Sequence, residues 1–271
     1  MGILIGLDSN SQPDMISIFT SRKKAIRQST MRRNVVKTAS LILLLLTSTN
    51  IHAAQLAIVI DDLGYQAMPE LLSNLPPEVT ISILPNTPFD LAVAAQAKKQ
   101  HRETLLHMPM EPEHLAPLEV NTLTSAMSQQ TLQHTLRQAL TRVPNAIAIN
   151  NHMGSALSQD TQAMGWIMAE LKQHNLYYLD SRTTAKSIAQ QQATSHHVLS
   201  LRRHVFLDHY QTKEFVTKQL MSAIKRAKQY GYAIAIGHPH PVTLSTLNEL
   251  LPNLTEEDIT LVRLSTLFAE I

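Results

Sequence analysis

The chain has 271 residues, of which 44% are hydrophobic and 16% are charged, and its formal net charge is +2. This length and composition can bury one large α/β domain or two small ones. The chain contains no cysteine, which excludes disulfides, thiolate metal sites and cysteine nucleophiles. Much of the basic excess lies in the first 37 residues. The remainder is close to neutral, so we expect no nucleic-acid partner.

The N-terminal segment at residues 31–54 is predicted to be a secretory signal peptide. A basic region at 32–37 precedes an apolar core at 39–46, and small residues end the segment. This core is too short for a stable membrane span. The alternative is an uncleaved N-terminal anchor. Residues 1–30 are interpreted as a disordered extension or as the product of an upstream start codon. We therefore expect a periplasmic protein whose folded domain spans residues 55–271.

Short apolar runs alternate with amphipathic segments from residue 55 onward, which predicts buried strands separated by helices. The predicted strands are 56–60, 79–84, 103–107, 146–150, 176–180, 197–199 with 205–207, 232–236 and 260–264. This alternation indicates parallel strands with right-handed crossovers. The predicted fold class is α/β, as a single-domain distorted (β/α) barrel with seven or eight mostly parallel strands. A doubly wound open sheet is the alternative.

Three of the intervening helices have recognisable boundaries. Ser128 is predicted to cap a helix that runs to Arg142, and Asp160 is predicted to cap the next, in which apolar residues recur every three or four positions. The third helix spans residues 212–230. Gly231 follows it, and glycine commonly ends helices.

Polar side chains recur at the carboxyl ends of the predicted strands. They are Asp61, Asp62, His107, Asn150, Asn151, His152, Asp180, Ser181, Arg182, Asp208, His209, His238 and His240. In a (β/α) barrel these ends converge on one mouth, where active sites are built. We therefore expect one polar pocket that draws on most of the strands.

Two histidines and a carboxylate from separate strands are a common ligand set for catalytic Zn²⁺, which keeps one position open for water. We predict Asp62, His107 and His152 as the ligands of a divalent metal, with zinc favoured. The metal lowers the pKa of its water to about 7, and Asp61 is predicted to be the general base. For any single histidine, the alternative is a hydrogen-bonded core residue.

Further residues are predicted to serve catalysis or substrate binding. One of His238 and His240 is predicted to be a general acid for the leaving group, with the other structural. The predicted substrate contacts are Glu111, Asn151, Asp180 and Arg182. For Glu111 a solvated loop charge is the alternative, and for Asp180 with Arg182 it is a structural salt bridge.

Five motifs occur in the order IVIDDLG, HMPMEP, NNHMGS, LDSRT and AIGHPHP. In this order they resemble the divergent polysaccharide deacetylase family of bacterial envelope proteins, over about residues 55–271. The resemblance implies a distorted (β/α) barrel that uses a divalent metal, often zinc, to remove N- or O-acetyl groups from sugars. It also implies that Asp61 is the base and Asp62 a metal ligand.

One feature departs from the broader superfamily, whose members take two metal ligands from a single His-x-x-x-His segment. Position 111 is Glu after His107, and position 156 is Ala after His152. The third ligand must therefore come from another strand. This change bears on substrate, metal affinity and activity.

The function predicted from these observations is metal-dependent deacetylation of an envelope glycan or other carbohydrate. The alternative is a non-catalytic carbohydrate-binding or envelope-organising module, although such a module has no need of a base at Asp61. Glycosidic hydrolysis is disfavoured, because glycosidase carboxyls flank the bond at about 5–9.5 Å. The single tryptophan, Trp166, falls in a predicted helix. A short oligosaccharide or a glycan end is therefore expected as the substrate.

Overall fold

The structure is a computed structural model and describes residues 53–271. The predicted extension at 1–30 and nearly all of the predicted signal peptide at 31–54 lie outside these residues. The strands are β1 (Ala54–Leu63), β2 (Thr80–Ile83), β3 (Thr104–Met110), β4 (Ala146–Met153), β5 (Tyr177–Asp180), β6 (Ser200–Arg202), β7 (Val205–Phe206), β8 (Tyr232–Gly237) and β9 (Ile259–Leu261). Over the described range, no helix has the length and hydropathy needed to span a membrane.

Helices connect most of the strands. They are α1 (Glu70–Ser73), α2 (Asp90–Lys99), α3 (Gln129–Arg142), α4 (Thr161–His174), α5 (Ala189–Ser195), α6 (Lys213–Tyr230), α7 (Pro241–Leu250) and α8 (Leu264–Ala269). Two 3₁₀ helices lie at Leu157–Gln159 and Leu251–Glu257. The order of elements is therefore a succession of strand–helix units, as the alternation in the sequence predicted.

All strand pairs are parallel, and the sheet has the order β6-β5-β4-β3-β2-β1-β8-β7, with β9 added beside the start of β1. Eight strands form the hydrogen-bonded path, which confirms the predicted distorted barrel. Within the described part of the chain, β6 and β7 are not paired with each other. The barrel is thus a half-barrel that stays open at this seam.

Strand β1 is buried on both faces, as a continuous apolar run predicts. Leu56, Ile58 and Ile60 pack in the layer between the sheet and the outer helices. Ala57 and Val59 alternate with them and pack in a second cluster inside the half-barrel. Because successive strand residues point to opposite faces, one apolar run supplies both layers.

Helix α8 fills the end of the half-barrel at which the strands begin. Leu264, Leu267 and Phe268 are buried in the inner cluster. Phe268 also stacks on Tyr177, the first residue of β5, with 4.4 Å between ring centroids. The apolar plug at this end leaves the carboxyl ends of the strands for polar side chains.

The predicted helix boundaries are confirmed. The side chains of Ser128, Asp160 and Thr212 accept hydrogen bonds from the backbone of the first turns of α3, α4 and α6. Gly231 ends α6 with a φ of 87°. Glycine adopts such a backbone conformation without the steric cost that a Cβ brings.

The predicted strand at 197–199 is wrong, since β6 begins at Ser200. Helix α5 continues into a closing turn in which His197 has a φ of 54° and the Val198 amide donates to the Ala193 carbonyl. This 6→1 bond is typical of a helix end. The last strand also stops earlier than predicted, because Leu264 already begins α8.

Candidate metal centre

The two adjacent aspartates lie at an irregularity in β1. The register against β2 changes from Ile60 opposite Ile81 to Leu63 opposite Ile83, so β1 holds one more residue than β2 over this stretch. Such a bulge bends a strand and redirects its side chains. Asp62 has a left-handed φ of 59°. Consecutive carboxylates therefore line the same cavity, although residues of a regular strand alternate.

Asp62, His107 and His152 bring three possible ligand atoms together from β1, β3 and β4. Asp62 Oδ1 lies 3.0 Å from His107 Nε2 and 2.9 Å from His152 Nδ1. The two ring nitrogens are 3.3 Å apart. Tetrahedral Zn²⁺ with N and O ligands at about 2.0–2.2 Å holds those atoms about 3.3 Å apart. The spacing and chemistry of the three atoms therefore fit one divalent ion.

The surroundings of His107 also suit a metal ligand. Its Nδ1–H donates to Asn150 Oδ1 at 2.9 Å, which leaves the Nε2 lone pair for an ion. Hydrogen bonds of this kind fix the tautomer and orientation of ligating histidines. The His107 side chain is 3% exposed, whereas that of Asp62 is 33% exposed. The cluster is thus anchored in the core and open on the side of the cavity.

Asn150 joins the predicted base to the predicted ligand. Its Nδ2 donates to Asp61 Oδ1 and Oδ2 at 2.9 and 3.1 Å and to Ser181 Oγ at 3.1 Å. Its Oδ1 accepts from His107 and from the Ser82 hydroxyl. Both ends of this fully buried amide are therefore occupied.

The charges of the cluster influence one another. Burial raises the pKa of Asp61, although His107, His238 and the Asn150 hydrogen bond oppose it. Burial also acts to raise the pKa of Asp62, but hydrogen bonds from His107 and His152 outweigh it, and this pKa is lowered. Burial acts to lower the pKa of His107, but the two aspartates outweigh it and raise this pKa to about 9. The neighbouring carboxylates thus differ in proton affinity.

A hydrogen-bonded histidine–aspartate pair, His238 and Asp208, lies next to Asp62. His238 Nδ1–H donates to Asp208 Oδ1 at 2.9 Å, and its Nε2 lies 3.5 Å from Asp62 Oδ2. Burial acts to lower the pKa of His238, but the Asp208 hydrogen bond and the charge of Asp62 outweigh it and raise this pKa. His238 is therefore oriented to present Nε2–H to the cavity.

Asp208, His238 and His240 form a second group of possible metal ligands. The carboxylate of Asp208 is already engaged, because it accepts from the His238 backbone amide, the His238 ring and the Thr243 hydroxyl. In the Asp62, His107 and His152 group, by contrast, the neighbours of Asp62 Oδ1 are the ligand nitrogens of the two histidines themselves.

Two of the other predicted site residues, His240 and Glu111, do not line the cavity that holds the cluster. His240 lies beside His238, with 5.7 Å between ring centroids, and lines a neighbouring groove. Glu111 is not brought to the cluster: its carboxylate accepts from the backbone and hydroxyl of Ser125 and lines a separate depression. Prolines at positions 109 and 112 flank Glu111 and disfavour a helix there.

Asn151, Asp180 and Arg182 lie along the ends of β4 and β5. The Asn151 amide donates to the Met153 carbonyl at 2.7 Å and accepts from the Ser181 backbone at 3.0 Å. Asp180 is buried, and its carboxylate accepts from the Arg182 backbone rather than from its guanidinium. Arg182 and Asn151 line the cavity. The carboxylate of Asp180 instead accepts from the Arg182 backbone and the Ser187 hydroxyl in the loop after β5.

Sequence reasoning left the roles of Asn150 and Asp208 unassigned, although both follow strands in the predicted pattern. The sequence analysis also did not single out Arg203. It predicted a strand at 197–199, whereas β6 begins at Ser200 and Arg203 directly follows it. These residues join the cluster at the carboxyl ends of the strands, where Arg203 lines a cavity of about 410 Å³. A second groove of about 470 Å³, lined by Tyr65 and His240, adjoins it at Asp62.

Comparison with known proteins assigns the chain a set of relatives. The model of the divergent polysaccharide deacetylase family matches residues 58–268. The uncharacterized protein YibQ of Escherichia coli K12 is 40% identical over 240 residues, which cover 88% of this chain and 74% of that protein. An uncharacterized protein of Haemophilus influenzae KW20 is 40% identical over 225 residues, covering 83% and 80% of the two chains.

Solved structures share the fold at low identity. An uncharacterized protein from Agrobacterium tumefaciens C58 has a TM-score of 0.77 at 20% identity, over 81% of this chain and 91% of that chain. The catalytic domain of a peptidoglycan N-acetylglucosamine deacetylase from Eubacterium rectale has 0.51 at 14%, over 80% and 90%. A pseudoenzyme of carbohydrate esterase family 4 from Bacillus anthracis has 0.50 at 11%, over 79% and 65%. The fold thus occurs in a deacetylase and in a pseudoenzyme.

Proposed function

The chain belongs to the divergent polysaccharide deacetylase family, and on that premise we propose that it is a metal-dependent hydrolase that removes acyl groups from an envelope carbohydrate. One observation carries this proposal. Ligand atoms of Asp62, His107 and His152 lie within 3.3 Å of one another, and buried Asp61 and His238 lie next to them.

Asp62, His107 and His152 are the residues that would hold the metal, and zinc is the favoured ion. A divalent metal bound there would polarise the acyl carbonyl and lower the pKa of a water molecule. The three residues line the cavity and the Asp62 side chain is one-third exposed, so water and substrate can reach this group.

Asp61 is proposed to be the general base. Its buried carboxylate lies 3.8 Å from His107 Nε2 and is held by Asn150 through both oxygens. Burial raises its pKa, which increases its affinity for the proton of the attacking water. A general base whose pKa is raised above that of a free aspartate is better suited to proton transfer near neutral pH.

His238 is proposed to be the general acid. The attacking water adds its oxygen to the acyl carbon while Asp61 takes one proton. The acyl C–N or C–O bond breaks, and the proton on His238 Nε2 passes to the leaving nitrogen or oxygen. Asp208 favours the protonated ring through its hydrogen bond to Nδ1. His240, the other candidate acid, lines the adjoining groove, and a structural role stays its prediction.

The metal assignment is tested by metal analysis of the purified domain, zinc titration and a deacetylase assay on acetylated sugars. We expect stoichiometric metal in the native chain. His107→Ala and His152→Ala should each lower zinc affinity by orders of magnitude while the fold persists. His134→Ala is the matched control, because His134 lies on α3 and outside the cluster. Unchanged zinc affinity in both site variants would contradict the proposal.

The alternative is a non-catalytic carbohydrate-binding or envelope-organising module. The likeness to the Bacillus anthracis pseudoenzyme favours keeping it, since this fold also occurs without catalysis. The two functions differ at Asp61. A binding module would retain carbohydrate affinity in Asp61→Asn and have no turnover to lose, whereas the hydrolase would lose its turnover.

The proposed site of action is the periplasm. The support is the sequence pattern at residues 31–54, with a basic region and a short apolar core. Translation from Met31 and cleavage near Ala53 or Ala54 should yield the mature chain. N-terminal sequencing of the mature protein tests both steps, and a periplasmic product that retains residues before Arg32 would contradict them.

A further inference from the structure

Arg203 occupies the seam of the half-barrel. Only Arg203 and His204 separate β6 from β7. The backbone amide of Arg203 donates to the Asp180 carbonyl of β5 at 2.8 Å, and that of His204 donates to the Ile234 carbonyl of β8 at 2.9 Å. The chain therefore crosses the open seam in two residues, and the side chain of Arg203 lines the cavity there.

Two backbone carbonyls and an aromatic ring hold the guanidinium of Arg203 in place. Nε donates to the Ser181 carbonyl at 2.6 Å, and Nη2 donates to the Arg182 carbonyl at 2.9 Å. Its Cζ lies 4.8 Å from the centre of the Phe206 ring. Nη1 has no hydrogen-bond partner among residues 53–271. A guanidinium held in this way presents its remaining donors in a fixed direction.

Two guanidinium groups share this cavity without a carboxylate partner. Arg182 also lines it, and among residues 53–271 its guanidinium makes one hydrogen bond, from Nη2 to the Ala185 carbonyl at 3.3 Å. In the described part of the chain, neither arginine forms an ion pair within 4.0 Å. The nearby carboxylates are engaged elsewhere, Asp61 by Asn150 and Asp180 by Ser187 and the Arg182 backbone.

A partly buried cation without a direct partner is costly, and an anion from outside would relieve that cost. Burial lowers the pKa of Arg203, although the charges of Asp61 and Asp180 partly offset this effect. The fork of a guanidinium matches the paired oxygens of a carboxylate or phosphate. An anionic group in this cavity would therefore find two cations whose donors no internal carboxylate occupies.

We infer that Arg182 and Arg203 bind a negatively charged group of the substrate, so that the chain acts on acylated sugars that carry a carboxylate or phosphate beside the acyl group. This inference rests on the proposed function, because it assigns the substrate class of the same site. The groove on the other side of Asp62 is lined by Tyr65, Pro69 and Leu71. It offers an apolar wall and no arginine, so the acidic group belongs on the arginine side.

The test uses N-acetylglucosamine oligosaccharides that are identical except at one 6-position. This position lies on the acetylated sugar or on its neighbour, and it carries a hydroxyl, a carboxylate or a phosphate. Calorimetric dissociation constants and kcat/KM are measured for each with the metal-loaded chain, and dissociation constants also with the metal-free chain. We expect the acidic forms to bind about 10- to 100-fold more tightly than the neutral form. The carboxylate and phosphate arms tell which acid the site prefers.

Arg182→Gln and Arg203→Gln should each reduce this preference by about tenfold or more. Arg203→Lys should recover part of it, because the charge remains and the fork is lost. Arg202→Gln is the matched control, since this exposed neighbour does not line the cavity. Thermal unfolding checks that Arg203→Gln is folded. Arg182→Gln is an independent variant, because the contact of Arg182 with Asp180 runs through the backbone.

The outcomes separate this inference from the proposed function. Tighter binding of acidic sugars that depends on both arginines, without turnover of any sugar, would support the anion site and contradict the hydrolase. Turnover of neutral and acidic sugars with equal kcat/KM would overturn the anion site and leave the hydrolase standing. A preference that disappears with the metal and persists in Arg182→Gln and Arg203→Gln would place the acid on the metal and overturn the inference.

Discussion

The side-chain amide of Asn150 donates to both carboxylate oxygens of Asp61, at 2.9 and 3.1 Å, in a fully buried environment. The oxygen of the same amide accepts from His107. One residue on β4 thus fixes the proposed base on β1 and the proposed metal ligand on β3. We expect stability and metal binding to depend on it together.

Asn150→Ala should lower the free energy of unfolding by about 2 kcal/mol or more, because it leaves several buried polar groups without partners. It should also weaken zinc binding by about 10- to 100-fold, as loss of a ligand-orienting hydrogen bond does. Urea unfolding and zinc titration measure the two effects. Ser82→Ala is the milder comparison, since Asn150 Oδ1 keeps His107 there. Equal effects of the two changes would argue against a bridging role for Asn150.

The two adjacent aspartates should respond differently to the same change. Asp62→Asn should weaken metal binding, because a neutral amide is a poor ligand. Asp61→Asn should keep the metal and reduce turnover by about 10²- to 10⁴-fold, because an amide cannot accept the proton. Metal content, melting temperature and hydrolysis are measured for both. Loss of metal in Asp61→Asn with retention in Asp62→Asn would mean that the roles are exchanged.

Zinc affinity should rise with pH between about 7 and 9. The pKa of His107 is raised to about 9 in the metal-free protein, so the ring is protonated at pH 7 and must release its proton before it can bind an ion. The apparent affinity should change by about tenfold for each pH unit while one proton is displaced. Competition with a chelator of known proton affinity measures this slope. A flat profile would show that His107 is already neutral at pH 7.

Asp208→Asn should shift the alkaline limb of the pH–rate profile to lower pH. Asp208 raises the pKa of His238, and the acid is active only while protonated, so a lower pKa ends activity at a lower pH. With its oxygen in the place of Oδ2, the amide can still accept from Thr243 and the His238 backbone, while its NH₂ replaces the oxygen that accepts from the His238 ring. The profile of kcat/KM against pH checks this. An unchanged alkaline limb would remove His238 from the role of acid.

Strong local signals predicted much of the fold. The helix starts at Ser128, Asp160 and Thr212 and the stop at Gly231 are decided by a few neighbouring residues, so the sequence predicts them well. The predicted strand at 197–199 failed for a reason that its composition does not reveal. These residues are apolar enough for a strand, but the backbone there closes α5 through the bond from Val198 to Ala193.

Sequence pattern alone determined the parallel sheet, the position of polar residues at strand ends and the grouping of Asp62, His107 and His152 as candidate ligands. Periodicity and chain order carry that information, because parallel strands expose all their carboxyl ends at one edge. Tertiary structure decided the rest. The bulge in β1 turns both aspartates into one cavity, Asn150 links strands that are far apart in the chain, and the seam between β6 and β7 brings Arg203 beside Arg182. These contacts depend on register and side-chain packing between distant segments, which no local pattern encodes.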